Sequence, residues 1–120
     1  MNSKTTFAVV DIETTGTDIS ADNRTIQFSC CLVSNNKIIK TFVTDINPQR
    51  EVPNRIVQLT GITNERLQKA KTFDQVAAQL YSLLNNTVFV AHNVNFDFPF
   101  LNSEFQRVGY PELQIEAIDT

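Results

Sequence analysis

Three segments in the first third of the chain have the hydrophobic patterns of β-strands. Residues 7–10 form a continuous apolar run rich in β-branched side chains, which predicts a central strand buried on both faces. Residues 25–33 alternate apolar and polar with a period of two, which is typical of a half-buried strand. After a short run of turn residues, another strand is predicted over residues 38–44. The last two segments should therefore pair as an antiparallel hairpin.

Helical patterns occupy much of the second half. Thr72 and Gln75 have the spacing of a capping box, and the apolar residues that follow share one face of a helix over residues 73–84. A second long helix is predicted over residues 96–108, where Gly109 ends it. Both helices are placed to act as crossovers between strands.

The remaining apolar runs complete the predicted architecture. Residues 88–91 and 115–118 each follow a long helix and predict strands parallel to their neighbours. A proline-containing loop over residues 45–53 leads to two short helices, at residues 54–59 and about 63–69. We therefore expect an α/β fold with a mixed five-stranded sheet flanked by helices.

Composition narrows the class of protein. The 120 residues include 10 Lys and Arg against 13 Asp and Glu and are 42% apolar, which is typical of one globular domain. The chain has no apolar run of the roughly 20 residues that cross a membrane, so we expect a cytoplasmic protein without a membrane partner. The only cysteines, Cys30 and Cys31, are adjacent, which argues against a disulfide framework and a thiolate zinc site. The net charge of −3 does not indicate a basic groove for nucleic acid.

Two acidic residues follow the central apolar run. Asp11 and Glu13 are two positions apart, so an extended backbone points both carboxylates to one face. Strand ends are where α/β sheets bind ligands, and an all-oxygen ligand set favours Mg²⁺ or Mn²⁺. The alternative is that the two acids only lead into a turn at residues 14–16.

Asp97 is a third candidate ligand. It lies two residues after Asn95, a predicted N-cap, so the helix macrodipole alone could account for it. Its spacing from Leu101, however, places the carboxylate on the helix face that is turned to the sheet. A buried charge needs a partner, and a metal held jointly with Asp11 and Glu13 would supply one. Both interpretations stay open at this point.

The single histidine and its neighbours are candidates for substrate contact. His92 follows a predicted strand end beside Asn93, which favours loop bracing or substrate contact over general-base catalysis. Phe96 could stack on a nucleobase, although phenylalanines beside such a helix usually belong to the core.

Taken together, several stretches resemble the DEDD superfamily of 3′–5′ exonucleases, in particular its DnaQ-like, DEDDh-type group. They are FAVVDIETTGTD, NRTIQFSC, INPQREVPNRIVQLTGIT, FVAHNVNFDFPFLNSEFQRVGYP and AIDT, and they span nearly the whole chain. The resemblance implies a ribonuclease H-like fold with three antiparallel strands followed by two parallel ones. It also implies that Asp11, Glu13 and Asp97 bind two divalent metal ions, Mg²⁺ or Mn²⁺.

The same resemblance implies a set of substrate-binding residues around the 3′-terminal nucleotide. Thr14 and Thr15 would contact that nucleotide, and Leu59 and Ile62 would pack near its base. The full set implied is Ile12, Thr14, Thr15, Leu59, Thr60, Ile62, His92, Asn93 and Phe96.

The third motif of this family has no counterpart in the chain. That motif carries a fourth metal-binding Asp and a catalytic His or Tyr beyond the last strand. Asp119 matches the family's I-D-T at the end of the fifth strand, and His92 does not have the position of the base. We expect residues 1–120 to be an exonuclease domain that is incomplete at its C-terminus, and therefore weak or inactive alone.

The sequence thus predicts a metal-dependent exonuclease that hydrolyses phosphodiester bonds at nucleic-acid 3′ ends, with DNA favoured over RNA, in proofreading or repair. The expected partners are a single-stranded DNA 3′ end and either a DNA polymerase or a fused helicase of the damage-inducible type. One alternative is a non-catalytic module that binds nucleic acid or a polymerase; another is a purely structural α/β domain.

Overall fold

The computed structural model of the chain describes residues 5–120, which form one mixed sheet with its helices. The central strand is β1, because the strand order is β3-β2-β1-β4-β5. The elements are β1 (Thr6–Thr14), β2 (Thr25–Ser34), β3 (Lys37–Asp45), α1 (Asn54–Thr60), α2 (Asn64–Gln68), α3 (Phe73–Leu84), β4 (Val88–Ala91), α4 (Val94–Arg107) and β5 (Ala117–Asp119).

The sheet has the predicted topology. β1 pairs with β2 and β2 with β3 in the antiparallel sense, whereas β4 is parallel to both β1 and β5. The hairpin turn places Asn35 and Asn36 at positive φ angles of 53° and 62°, which asparagine tolerates better than most residues. The predicted α/β architecture with three antiparallel and two parallel strands is confirmed.

Strand β1 differs from its prediction in burial and in length. Ala8 and Val10 face the core, but Phe7 and Val9 on the opposite face are 37% and 41% exposed. The prediction of a strand buried on both faces was therefore wrong, because α3 and α4 both pack on the core face. The strand also continues through Thr14, since the antiparallel ladder to β2 holds the polar residues in an extended conformation.

The helices begin and end close to their predicted positions, with small shifts. The capping box of Thr72 and Gln75 is confirmed. Helix α4 begins at Val94, not at residue 96, because the Asp119 carboxylate accepts a hydrogen bond from the Val94 N–H at 3.1 Å. Pro53, not Asn54, is the N-cap of α1.

The last strand is shifted by one to two residues from its prediction. β5 spans Ala117–Asp119 because its parallel ladder pairs Phe89 with Ala117 and Ala91 with Asp119. The structure therefore brings the carboxyl ends of β4 and β5 to the start of α4. Within residues 5–120, no helix has the length and apolarity needed to cross a bilayer.

Two hydrophobic clusters stabilise this arrangement. The larger one lies between the sheet and α3 and α4, with Phe105 fully buried at its centre. The smaller one is formed by Ile26, Val52, Ile56, Ile62 and Leu67 and anchors the two short helices to the start of β2. The segment after β3 is thereby held beside the carboxyl end of β1.

Candidate active site

The three predicted carboxylates lie around the carboxyl end of β1. Asp11 and Glu13 point to the same face of the strand, and Asp11 is exposed whereas Glu13 is half-buried. Asp97 lies in the first turn of α4 and is only 5% exposed. The end of the central strand and the start of one helix therefore carry the candidate site.

The position of Asp97 is set by an opening in the sheet. The parallel ladder between β1 and β4 ends at the pair Val9–Val90, so the next part of β1 has no strand on that side. The Asp97 carboxylate takes a hydrogen bond from the backbone of Ile12 there, and this bond lowers its pKa. A side chain of α4 thus replaces a strand as the partner of β1.

Burial and like charge perturb the carboxyl groups at this site. Burial, together with the negative charges of Asp11 and Glu13, raises the pKa of Asp97 to about 6. Burial and the charge of Asp11 also raise the pKa of Glu13. The three groups therefore repel one another, and a positive charge among them would relieve the repulsion.

A divalent cation fits the chemistry of these groups. All three are oxygen donors of the kind that Mg²⁺ and Mn²⁺ prefer. In the described residues 5–120, no group of three or more His, Cys, Asp and Glu side chains is arranged to hold a metal ion. Asp11 and Glu13 nevertheless lie close enough to Asp97 for their negative charges to raise its pKa.

The segment after Glu13 is a tightly bonded turn. The ladder between β1 and β2 has a bulge between Glu13 and Thr14. The Thr14 hydroxyl donates to the Gly16 carbonyl at 2.7 Å. The Thr15 hydroxyl donates to Asn23 at 2.9 Å and accepts from the Arg24 N–H at 3.0 Å. Both threonine side chains are buried, so a nucleotide contact by these residues would use their backbone; that contact stays a prediction.

Gly16 is required by the close approach of Asn23. A Cβ atom at position 16 would lie 2.6 Å from the Asn23 side-chain oxygen, too close for any real contact. We expect Gly16→Ala to displace Asn23, to break its bond with Thr15 and to destabilise the domain by about 1–3 kcal/mol. Urea unfolding followed by circular dichroism measures this loss. Gly109→Ala is a matched glycine variant with open space around the added Cβ, and it should show only the strain of its positive φ of 95°.

The residues predicted near the terminal base divide into two groups. Leu59 is 81% exposed and projects from the end of α1. Ile62, in contrast, is buried in the smaller cluster. The Thr60 hydroxyl donates to the Ile56 carbonyl at 2.8 Å and accepts from the Ile62 N–H at 3.1 Å. Leu59 is therefore the member of this group whose side chain is available to a ligand.

The last predicted residues lie in the turn between β4 and α4 and in the first turn of α4. His92 and Asn93 are exposed, and the Asn93 carbonyl accepts hydrogen bonds from the N–H groups of Phe96 and Asp97. The ring centroids of Phe96 and Phe100 are 5.3 Å apart, and Phe96 is partly exposed. Phe96 therefore borders both the core and the surface beside Asp97.

Sequence reasoning missed one buried acid close to the site. Glu104 is 3% exposed and lies seven residues after Asp97, two helical turns along the same face. The i, i+7 spacing of Asp97 and Glu104 places both acids on the sheet-facing side of α4, and this spacing could have indicated from the sequence that Glu104 is buried.

A mixed sheet with acids on its central strand and on the crossover helix beside it is typical of ribonuclease H-like nucleases. A family model described as exonuclease matches residues 8–120, nearly the whole chain, and the chain belongs to this exonuclease family. The family depends on divalent metal ions.

Curated relatives agree with this assignment. The chain is 36% identical over 117 residues to a Bacillus subtilis (strain 168) protein named 3′-5′ exonuclease DinG, covering 98% of this chain. It is 40% identical over 115 residues to the protein of that name from Staphylococcus aureus (strain USA300), covering 96% of this chain. The chain spans 13% of the length of each of these relatives.

A solved structure shows the same architecture. The zinc-bound complex of E. coli exonuclease I with single-stranded DNA superposes with a TM-score of 0.85 at 25% identity. The match covers 97% of this chain and 28% of that protein.

Proposed function

We propose that this domain is a metal-dependent 3′–5′ exonuclease that removes nucleotides from DNA ends. The observation that carries the proposal is the group of three mutually repelling carboxylates, of which Asp97 is buried against the backbone of β1. A site of this kind is unfavourable without a cation and becomes favourable with one.

Asp11, Glu13 and Asp97 would hold two divalent ions, Mg²⁺ or Mn²⁺. Such ions, when bound, make water a stronger nucleophile and stabilise both the attacked phosphate and the departing 3′ oxygen. Leu59 would pack on the terminal base. His92 in the β4–α4 turn and Phe96 in the first turn of α4 would border the nucleotide.

We expect slow hydrolysis by the chain alone. Its only histidine, His92, makes no hydrogen bond or ion pair with the three carboxylates in the part of the chain that the structure describes. A positioned general base typically contributes about 10²- to 10⁴-fold to such a reaction. Substrate binding and metal binding should therefore be easier to detect than turnover.

The relatives support DNA as the substrate and a repair context. E. coli exonuclease I is seen with single-stranded DNA, and the two curated relatives are named 3′-5′ exonucleases. Because the chain spans only 13% of the length of those relatives, we favour fusion to a further domain, for which the sequence resemblance implies a helicase, over a separate polymerase partner. The slight negative charge of the chain does not oppose this, since bound cations would face the phosphates.

A 5′-labelled single-stranded oligonucleotide tests the proposed function. Incubation with Mn²⁺ or Mg²⁺ should produce a ladder that shortens one nucleotide at a time, and a chelator should stop it. An identical oligonucleotide with a blocked 3′ end should stay intact if the activity is 3′–5′. Metal-dependent DNA binding with no shortening even at high enzyme concentration would favour the non-catalytic alternative.

Leu59 provides a test of substrate contact. We expect Leu59→Ala to weaken binding of single-stranded DNA by about 3- to 10-fold in the presence of metal, since partial burial of a leucine side chain against a base is worth about 1 kcal/mol. The change should leave the free energy of unfolding within about 0.5 kcal/mol because the side chain is exposed. Ile39→Ala is the matched control. Ile39 is 58% exposed and lies on edge strand β3, which β2 separates from the strand that carries Asp11 and Glu13. Equal effects of the two variants on DNA binding would argue against a base contact by Leu59.

A further inference from the structure

Helix α4 carries three buried polar side chains, and each accepts a hydrogen bond from the backbone of a different segment. Asp97 bonds to Ile12 in β1, Asn102 accepts from the Leu113 N–H at 2.8 Å, and Glu104 accepts from the Thr25 N–H at 2.8 Å. Buried polar groups of this kind fix relative positions, because a misplaced helix would leave them unpaired. Each of the three bonds thus holds α4 against a defined part of the fold.

The bond of Glu104 reaches the strand that supports the metal-ligand candidates. Thr25 begins β2 and pairs with Thr14, directly after the bulge that follows Glu13. The adjacent chain is fixed as well, since the Thr15 N–H donates to the Arg24 carbonyl at 2.9 Å. Glu104 therefore connects α4 to the short stretch of sheet that sets the direction of Glu13.

The charge of Glu104 is compensated within the same helix. Its other carboxylate oxygen accepts from Arg107 Nε at 3.0 Å and pairs with the terminal guanidinium nitrogen at 2.9 Å. Arg107 is one-third exposed, so the ion pair is held at the edge of the core and leaves the second oxygen for Thr25. Both carboxylate oxygens of Glu104 therefore already accept hydrogen bonds, so this side chain is unavailable as a metal ligand.

We propose that Glu104 is a positioning residue that fixes the separation between Asp97 on α4 and the pair Asp11 and Glu13 on β1. The inference rests on the proposed metal site and adds a determinant of its affinity. α4 is attached to the sheet at two points two helical turns apart, to β1 through Asp97 itself and to the start of β2 through Glu104. Residues that hold metal ligands in place typically contribute 10- to 100-fold to metal affinity.

Three substitutions separate a positioning role from a general contribution to stability. Glu104→Asp keeps the charge but shortens the side chain by one methylene, so it cannot reach both Thr25 and Arg107 without moving the helix. Glu104→Gln keeps the length and one acceptor oxygen for the Thr25 N–H, and gives up the acceptor that faces the partly exposed Arg107. Asn102→Ala removes a bond of the same length from the same helix, at a residue that is 4% exposed, but that bond goes to the loop before β5.

Calorimetric titration with Mn²⁺ at pH 7.5, at a temperature where circular dichroism shows every variant folded, is the test. We expect Glu104→Asp to bind Mn²⁺ at least 10-fold more weakly than the original chain, and Glu104→Gln and Asn102→Ala to stay within about 3-fold. Equal affinity for Glu104→Asp and the original chain would overturn the proposal, as would an equal loss in Asn102→Ala. A Glu104→Asp chain that does not fold would also overturn it in favour of a purely structural role. Absence of Mn²⁺ binding in the original chain would instead contradict the proposed function.

Discussion

Asp97→Asn should lower metal-dependent exonuclease activity about a hundredfold or more while leaving the domain folded. The substitution keeps the shape of the side chain and an oxygen that accepts from the backbone of Ile12, but it removes the negative charge. Even residues that only support a metal ligand contribute about 10- to 100-fold to affinity or activity, so loss of a ligand itself should have at least this effect. The rate of release of 3′-terminal nucleotides at saturating Mn²⁺ measures it.

The same substitution should stabilise the metal-free protein. The pKa of Asp97 is raised from 3.8 to about 6, so between these values the folded protein binds more protons than the unfolded chain. The free energy of unfolding therefore falls as the pH rises through this range, and the full cost of burying the charged carboxylate applies above pH 6. We expect Asp97→Asn to raise the free energy of unfolding by about 1–3 kcal/mol at pH 7.5 in chelator, and by almost nothing at pH 3.5.

Asp74→Asn is the matched control for both effects. Asp74 also lies in the first turn of a helix, α3, but it is exposed and bonds only to the Thr72 hydroxyl in the described part of the chain. If Asp97 only compensated a helix dipole, the two variants would lose similar stability and neither would lose activity. That outcome would remove Asp97 from the proposed site.

Phe105→Ala is expected to have the largest effect on stability, a loss of about 3–5 kcal/mol. Phe105 is fully buried. The centroid of its ring lies 5.3 Å from the ring centroid of Phe73, 5.2 Å from that of Tyr81 and 6.1 Å from that of Tyr110. Its removal would leave a cavity between α3, α4 and the segment after α4. For a small domain this loss approaches the whole free energy of folding, which urea unfolding measures directly.

Phe7→Ala is the control for this loss. Phe7 lies on the other face of the sheet, 37% exposed and outside the core cluster, so its replacement should change stability by no more than about 1 kcal/mol. Equal losses in the two variants would contradict the assignment of the core to one face of the sheet.

The topology of the sheet and the position of helix α3 could be predicted from the sequence. The alternation over β2 and the capping box at Thr72 each depend on local periodicity and local hydrogen bonds. Burial of β1 could not be predicted in this way, because a continuous apolar run does not show which face the helices will cover. Phe7 and Val9 look the same in sequence as Ala8 and Val10.

The sequence indicated the acids of the candidate site, whose metal binding stays a prediction, more readily than the burial of the residues around them. Asp11, Glu13 and Asp97 were identified by spacing and by resemblance, and the structure places them at the end of β1 and the start of α4. Burial of Thr15 and Ile62 follows from contacts with Asn23 and with the smaller hydrophobic cluster, which are set by tertiary structure. The bond between Glu104 and Thr25 joins residues 79 positions apart, so no local pattern could indicate it.

Titration of the original chain, Asp97→Asn and Asp74→Asn with Mn²⁺ by calorimetry at pH 7.5 tests the central claim most directly. We predict saturable binding to the original chain and to Asp74→Asn, and binding at least 10-fold weaker to Asp97→Asn. Indistinguishable Mn²⁺ affinities for Asp97→Asn and the original chain would contradict a metal site formed by Asp11, Glu13 and Asp97.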